Sequence, residues 1–443
     1  MNKPICEFLE KYNKLNPIRL HVPGHKGKGV LGYEKNDLTE IDGADELYLP
    51  TGIIKESQDN ASKLFGCPTY YTVEGSSHAI RAMLYLTKIY ANKNGKKFSV
   101  LSARNVHKSF LSACALLGAE VNWIYNENSA NYFSNYLTPE ILDNYLKTVK
   151  ELPCAIYVTS PDYLGNILDV ENLAKIAKKY GAILLIDNAH GAYLKFIDKH
   201  PISLGASICA DSAHKTLPAL TGGAYLHLSS EIYSELGSYA ETALSLFGTT
   251  SPSYLILSSL DSVNDYLDND FSKKLADFII KLDALKTSLK TAGFTLIGSE
   301  PLKLTIDAKS YGYTGNEIVD ILKSNDIFVE FYDSDYVVLM FTIEILDSEI
   351  EKVKQVLLSI KRREKLEKPT LLPCKNKCEI SLTDAVYRLT ETVDIDSAAY
   401  RVYGDFNLPC PPAVPIIMPG EIINENTINI LKYYKVEKIK VIK

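Results

Sequence analysis

The chain has 443 residues and a net charge of −6 at neutral pH, with 46% hydrophobic and 23% charged residues. It is too long for one small core and too apolar for a disordered tail, and its acidic balance is the wrong sign for a dedicated nucleic-acid surface. No stretch approaches the ~18–20 apolar residues of a membrane span, so neither nucleic acid nor membrane is an expected partner.

Taken from the amino terminus, "MNKPICEFLEKYNKLNPIRL" holds no uninterrupted apolar run of signal-peptide length. His21 and His25 are four apart, but Pro23 and Gly24 lie between them and break a helical metal pair. Gly75, Ser76 and Ser77 stand directly before an amphipathic helical pattern. A turn of small residues there offers backbone N–H groups, two hydroxyls and the positive end of a helix dipole, which is how a phosphate is held; Ser and Gly are also ordinary helix caps.

The next hundred residues alternate between two periods. "KFSVLSA", "EVNWIY", "CAIYVTS" and "AILLIDN" read as buried strands. His107–Leu117, Pro139–Val149 and Val170–Tyr180 read as helices, the last stopped by Gly181. Strands alternating with helices of this length predict βαβ units and a mostly parallel sheet, with ligands at the carboxyl ends of its strands. That rule points at Ser160, Asp187 and the Ser212–Lys215 segment together. His107 falls at one strand-to-helix turn, where a lone histidine is usually structural.

Asp187 follows five apolar residues, so its carboxylate should be buried and in need of a partner. A protonated ring nitrogen would serve. Lys215 comes beyond the next strand, in "ADSAHKTLPAL", on a segment otherwise of small and apolar residues. A phosphate turn, an acid at one strand end and a lysine beyond the next are, in that order, the parts that hold pyridoxal phosphate (PLP). Eight cysteines have no framework spacing, which suits a reducing cytoplasm, and the pair Cys374 and Cys378 lacks the companions of a zinc site; no metal is expected.

The blocks "HVPGHKGKG", "DLTEIDGADELYLPTG", "FGCPTYYTVEGSS", "RNVHKS", "TSPDYLGNILDV", "LLIDNAHGAY", "SAHKTLPALTGGAYLH", "TTSPSYLILSSLD" and "PCPPAVPIIMPGE" follow one another over most of the chain. In that order the sequence resembles the Orn/Lys/Arg decarboxylases, bacterial PLP enzymes of the aspartate-aminotransferase-like fold (fold type I). The resemblance implies an α/β fold with a mostly parallel central sheet, and decarboxylation of a basic amino acid, arginine favoured over lysine or ornithine. It implies Lys215 as the Schiff-base lysine, Asp187 as partner of the pyridine nitrogen and His107 stacked on the ring. Gly75, Ser76 and Ser77 would hold the phosphate, with Ser212 and His214 beside the lysine and Ala189 and His190 lining the ring; His214 is also a candidate proton donor. Thr250 and Ser251 would reach the neighbouring subunit of a homodimer. The resemblance also implies a short form without the receiver-like amino-terminal domain of longer members.

The sequence departs from the family pattern at Glu74, where Asn is usual, at Asn188, where Glu is usual, at Asp162, where Thr is common, and at Cys410–Ala413, where Tyr-Pro-Pro-Gly is usual. Two other readings follow. One is an aminotransferase or lyase of the same fold, for which Arg401 could bind a substrate carboxylate; the other is a non-catalytic PLP-binding homologue. The expected organisation is an arm over residues 1–60, a cofactor domain over 61–265, a smaller α/β domain over 266–365 and a carboxyl-terminal segment over 370–443.

Overall fold

A computed structural model describes residues 1–126, 137–369, 375–407 and 414–443. The strands, in chain order, are β1 (Thr69–Thr72), β2 (Ser99–Ala103), β3 (Glu120–Ile124), β4 (Ala155–Thr159), β5 (Ile183–Asp187), β6 (Ile208–Asp211) and β7 (Ala224–Leu228). They continue as β8 (Thr295–Ile297), β9 (Lys303–Asp307), β10 (Phe331–Tyr332), β11 (Tyr336–Met340), β12 (Thr390–Asp394) and β13 (Lys438–Ile442). The chain divides into two units, Met1–Lys96 with Ile183–Lys274, and Lys97–Ala182 with Leu275–Lys443.

In the first unit the strand order is β1-β7-β6-β5. β5 and β6 are parallel, with Asp187 opposite Ala210, while β7 runs antiparallel to both β6 and β1. Every residue of β5, β6 and β7 is buried, so none of the three shows the alternation of a strand with one face in water; the polar residues they hold, Asp187, Asp211 and His227, are buried too. The helix Ser76–Lys93 buries Ala79, Ile80, Ala82, Met83, Leu84 and Leu86. Helices Pro4–Lys14 and Ile53–Phe65 meet helix Tyr254–Asp268 through a polar joint: Asp261 accepts the Ile5 and Cys6 amides at 3.0 Å each and the Ser57 hydroxyl at 2.6 Å.

In the second unit β2 pairs in parallel with β3 and β4. The helices expected after them are present at Lys108–Leu117, Pro139–Thr148 and Val170–Lys179. Each begins at a side-chain cap, from His107, Thr138 and Asp169 respectively, and such caps satisfy the first-turn amides that the helix cannot. A four-stranded antiparallel sheet, order β10-β11-β9-β8, and a β12–β13 ribbon complete this unit. One apolar core joins Leu164, Phe331 and Val338 to Ile416, Ile417, Ile423 and Ile430. The carboxyl-terminal segment thus shares a core with the small sheet.

The turn into β11 holds a carboxyl whose ionisation burial opposes. Asp333 is 2% exposed, and its pKa is pushed up to about 6 by desolvation, against the Asp335 and Tyr336 amides that its Oδ1 accepts at 2.7 Å each. Its folded value exceeds the unfolded one of about 3.9, so the stabilisation is complete below pH ~4 and is lost as pH rises towards ~6. The Asp333→Asn variant should lack that decline, worth at most about 3 kcal/mol, in urea unfolding measured between those pH values.

Candidate active site

The Gly75 turn, the end of β5 and the segment after β6 all belong to the first unit, and hydrogen bonds join them. Helix Ser76–Lys93 starts without a side-chain cap and without an acid in its first turn. Its dipole and leading amides are therefore available to an anion. Ser212 Oγ donates to Ser76 Oγ at 2.9 Å. Gly75 has φ +73°, its amide donates to Gly222 O at 2.8 Å, and the space over its Cα opens to His214 Cε1 at 3.9 Å. Gly222 itself has φ +101°, and a Cβ there would stand 2.6 Å from Val73 O, so only glycine lets the "TGG" loop close on the cradle. His214 is fixed by Nδ1 against Gly223 O at 3.0 Å. Ser77 follows in the first helical turn, partly exposed.

Asp187 ends β5 with 2% exposure, and its Oδ1 accepts the Ala189 amide at 3.2 Å. Three residues on, His190 Nε2 lies 3.2 Å from Lys215 Nζ. Lys215 sits in the short helix Ala213–Thr216 directly after β6 and is half-buried. The residues suit PLP: a helix start with two linked hydroxyls for the phosphate, a buried acid for the ring nitrogen, and an amine at the strand ends between them.

Thr250 and Ser251 are exposed, and their segment is tied within its own chain by Thr249 N, which donates to Glu74 Oε1 at 2.6 Å, and by Ser251 N, which donates to Thr249 Oγ1 at 3.1 Å. The same segment continues into Tyr254, whose hydroxyl donates to Asp45 O at 2.5 Å and accepts the Asp45 amide at 3.1 Å. The Asp45 carboxylate in turn accepts the amides of Glu46, Thr51, Gly52, Ile54 and Lys55. That fan of amides fixes the "DELYLPTG" turn.

His107 belongs to the second unit. Its Nδ1 accepts the Ser109 amide at 3.3 Å and faces Ser109 Oγ at 2.7 Å, so it caps the following helix while its ring is exposed. What holds this loop was not singled out from the sequence. Arg104, 1% exposed, donates Nη1 to Glu421 Oε1 at 2.5 Å and Nη2 to Glu421 Oε2 at 2.9 Å, and its guanidinium lies 5.2 Å from the Trp123 ring centre. Glu421 also accepts the Met418 amide at 3.0 Å. The pair links the first residue of "RNVHKS" to the last of "PCPPAVPIIMPGE"; both were visible as motif residues, but nothing in a sequence pairs an arginine with an acid 317 positions away.

Asp162 accepts the Asn166 amide and side chain at 2.8 Å each and so closes its own turn. Cys410–Ala413 lie outside the described residues, as does Cys374. The six described cysteines are all free. Arg401 is committed to Glu391 at 2.7 Å and to Ile442 O at 2.9 Å on the β12–β13 ribbon, which leaves the aminotransferase reading without its carboxylate clamp.

Known proteins resemble this chain in both sequence and fold. The model of the Orn/Lys/Arg decarboxylase major domain matches residues 3–294, and that of the family's carboxyl-terminal domain matches residues 369–440. The chain belongs to the Orn/Lys/Arg decarboxylase family. It is 30% identical to the arginine decarboxylase of Bacillus subtilis, over 96% of this chain and 92% of that protein. It is 28% identical to the arginine decarboxylase of Bacillus anthracis, over 97% and 92%. The fold matches the lysine decarboxylase LdcF of Francisella novicida with a TM-score of 0.80 at 17% identity, covering all of this chain and 81% of that one. Family and fold make the chain a PLP-dependent amino-acid decarboxylase of fold type I. Among the described residues no helix is long and apolar enough to cross a membrane.

Two outcomes follow for the site. Ser76→Ala and Ser212→Ala should each raise the PLP dissociation constant about 10-fold, the loss of one hydrogen bond to a charged group, measured by fluorescence titration of apoprotein. Glu421→Gln should leave Arg104 as an uncompensated buried charge and lower stability by about 3–5 kcal/mol in chemical unfolding.

Proposed function

We propose that the chain decarboxylates arginine to agmatine and CO2, with the Gly75–Ser77 turn, Asp187 and Lys215 as its cofactor site. The observation that carries this reading is the convergence at the strand ends: Lys215 Nζ beside His190 at 3.2 Å, and Ser212 bonded to Ser76 at 2.9 Å. The preference for arginine rests on the similar Bacillus decarboxylases.

Bound PLP supplies an electron sink for the pair left on the α-carbon when CO2 departs. The protein's share is positional and electrostatic. Ser76, Ser77 and Ser212 hold the phosphate at the helix start, and Asp187, buried and oriented by the Ala189 amide, keeps the ring nitrogen protonated. Lys215 would be the amine that holds the cofactor. His190 lies against its Nζ and orients it between turnovers. Reprotonation of the α-carbon falls to Lys215 or His214. His107 serves as the ring-stacking residue, and its cap on the following helix fixes the loop that presents it. Thr250 and Ser251 contribute from the partner subunit of a homodimer, in a cytoplasmic enzyme feeding polyamine synthesis. The organisation we propose along the chain is an arm over 1–60, a cofactor domain over 61–265, a small domain over 266–365 and a carboxyl-terminal segment over 370–443.

Product analysis tests the reaction and its substrate. Holoenzyme incubated separately with arginine, lysine and ornithine should yield agmatine well above cadaverine and putrescine by mass spectrometry. The Lys215→Ala control should fall at least about 10³-fold, the scale of losing a covalent group. Cadaverine as the main product would reassign the substrate, and an active Lys215→Ala enzyme would sink the mechanism.

A further inference from the structure

Directly before the Ser212–Lys215 segment lies a carboxylate that the reaction does not use. Asp211 is fully buried, with three donors bonded to it and a second imidazole close by. Asn188 Nδ2 is 2.7 Å and Cys209 Sγ 3.2 Å from its Oδ1, while His200 Nε2 is 3.1 Å and His227 Nε2 3.3 Å from its Oδ2. Burial alone would raise its pKa, but the two imidazoles outweigh that and hold it ionised. His227 Nδ1 lies 2.9 Å from the Thr69 hydroxyl, which itself donates to Cys67 O at 3.0 Å.

Asn188 is the residue after Asp187. Its amide donates to Ala210 O at 2.9 Å and its side chain to Asp211, so both its polar arms tie the end of β5 to the end of β6. Gly191 completes the turn, because a Cβ there would fall 2.0 Å from Asn188 Oδ1. We infer that Asp211 is a positioning residue, which through Asn188 sets the spacing between the Asp187–His190 turn and the Ser212–Lys215 segment. This rests on the cofactor site proposed above. The departure at position 188 then has a physical cause: a Glu beside Asp211 would bury two like charges, whereas Asn supplies the donor that an ionised Asp needs.

His200, Cys209 and Asp211 also have the spacing of a metal site, with their ligand atoms within 4.8 Å of one another. Both carboxylate oxygens already accept hydrogen bonds, from Asn188 and Cys209 on one side and His200 on the other, so the cluster reads as a hydrogen-bond network.

The experiment compares wild-type holoenzyme with Asp211→Asn, Asn188→Asp and the double exchange Asn188→Asp/Asp211→Asn. The readouts are thermal unfolding, PLP dissociation constant, kcat and the pH midpoint of the visible absorbance of PLP bound to Lys215. The groups bearing on that midpoint are His190 beside Lys215, Asp187 at the end of β5, and Asp211 with His200, His227 and Cys209. Each single variant should bind PLP at least about 10-fold more weakly, and Asp211→Asn, having lost a buried negative charge, should move the midpoint down by about one unit. The double exchange restores a carboxylate–amide pair with its polarity reversed and should recover most of the affinity. If Asp211→Asn does not fold, Asn188→Ala, which keeps the charge and removes one donor, should still weaken PLP binding. Single variants with native midpoint, affinity and kcat would overturn the inference even if their melting temperatures fell. Stoichiometric zinc in the wild-type protein would overturn it too. Failure of the wild type itself to bind PLP would instead strike the proposed function.

Discussion

The constraint on which both units depend is that a carboxylate taken out of water must be given donors. Asp45, Asp211, Asp261 and Glu421 are all buried or nearly so, and each is the point at which segments distant in the chain are joined. Asp45 collects five amides from its own turn and meets Tyr254 through its backbone; Asp261 takes the amides that open the first helix. Asp211 joins two strand ends and Glu421 holds the loop before His107. Removing one partner of such a group leaves an unpaired charge and costs about 3–5 kcal/mol. A one-residue shift of any of these segments would do the same, which makes the joints selective as well as strong.

Much of this architecture was legible in the sequence because it rests on periodicity. The runs around Val100, Ile156 and Leu185 are the buried strands that their sequences predict. The run around Val121 is not: it forms the edge strand β3, in which only Ile124 is buried, because β3 pairs on one side alone. The helices between them differ from expectation by a residue or so at their ends. Those ends are decided by caps. His107 looked like the first residue of its helix and is instead the cap, since its Nδ1 accepts the Ser109 amide. The approach of Ser212 to Ser76 was implied by family resemblance alone, since the rule for strand ends pointed at Ser212 but not at Ser76, and 136 residues separate them. The Arg104–Glu421 pair and the environment of Asp211 were not legible. Nothing local marks a histidine at 200 and another at 227 as neighbours of one carboxylate, because only the antiparallel return of β7 and the turn before β6 bring them there.

The same distinction explains which departures from the family pattern matter. Asp162 and Asn188 are each absorbed by a specific partner a short distance away, Asn166 and Asp211. Glu74 is the harder case, because an acid directly before a phosphate cradle should repel the ligand. Its side chain is exposed and turned towards the Thr249 amide, which Oε1 accepts at 2.6 Å. An exposed charge is screened by water and salt, whereas the amides of the helix start act at contact range. The cradle therefore keeps its positive field, and the acid spends its hydrogen bond on the loop carrying Thr250 and Ser251. A neutral amide at position 74 would accept that bond more weakly, so Glu74 trades a small repulsion of phosphate for a firmer hold on the segment proposed to serve the second subunit.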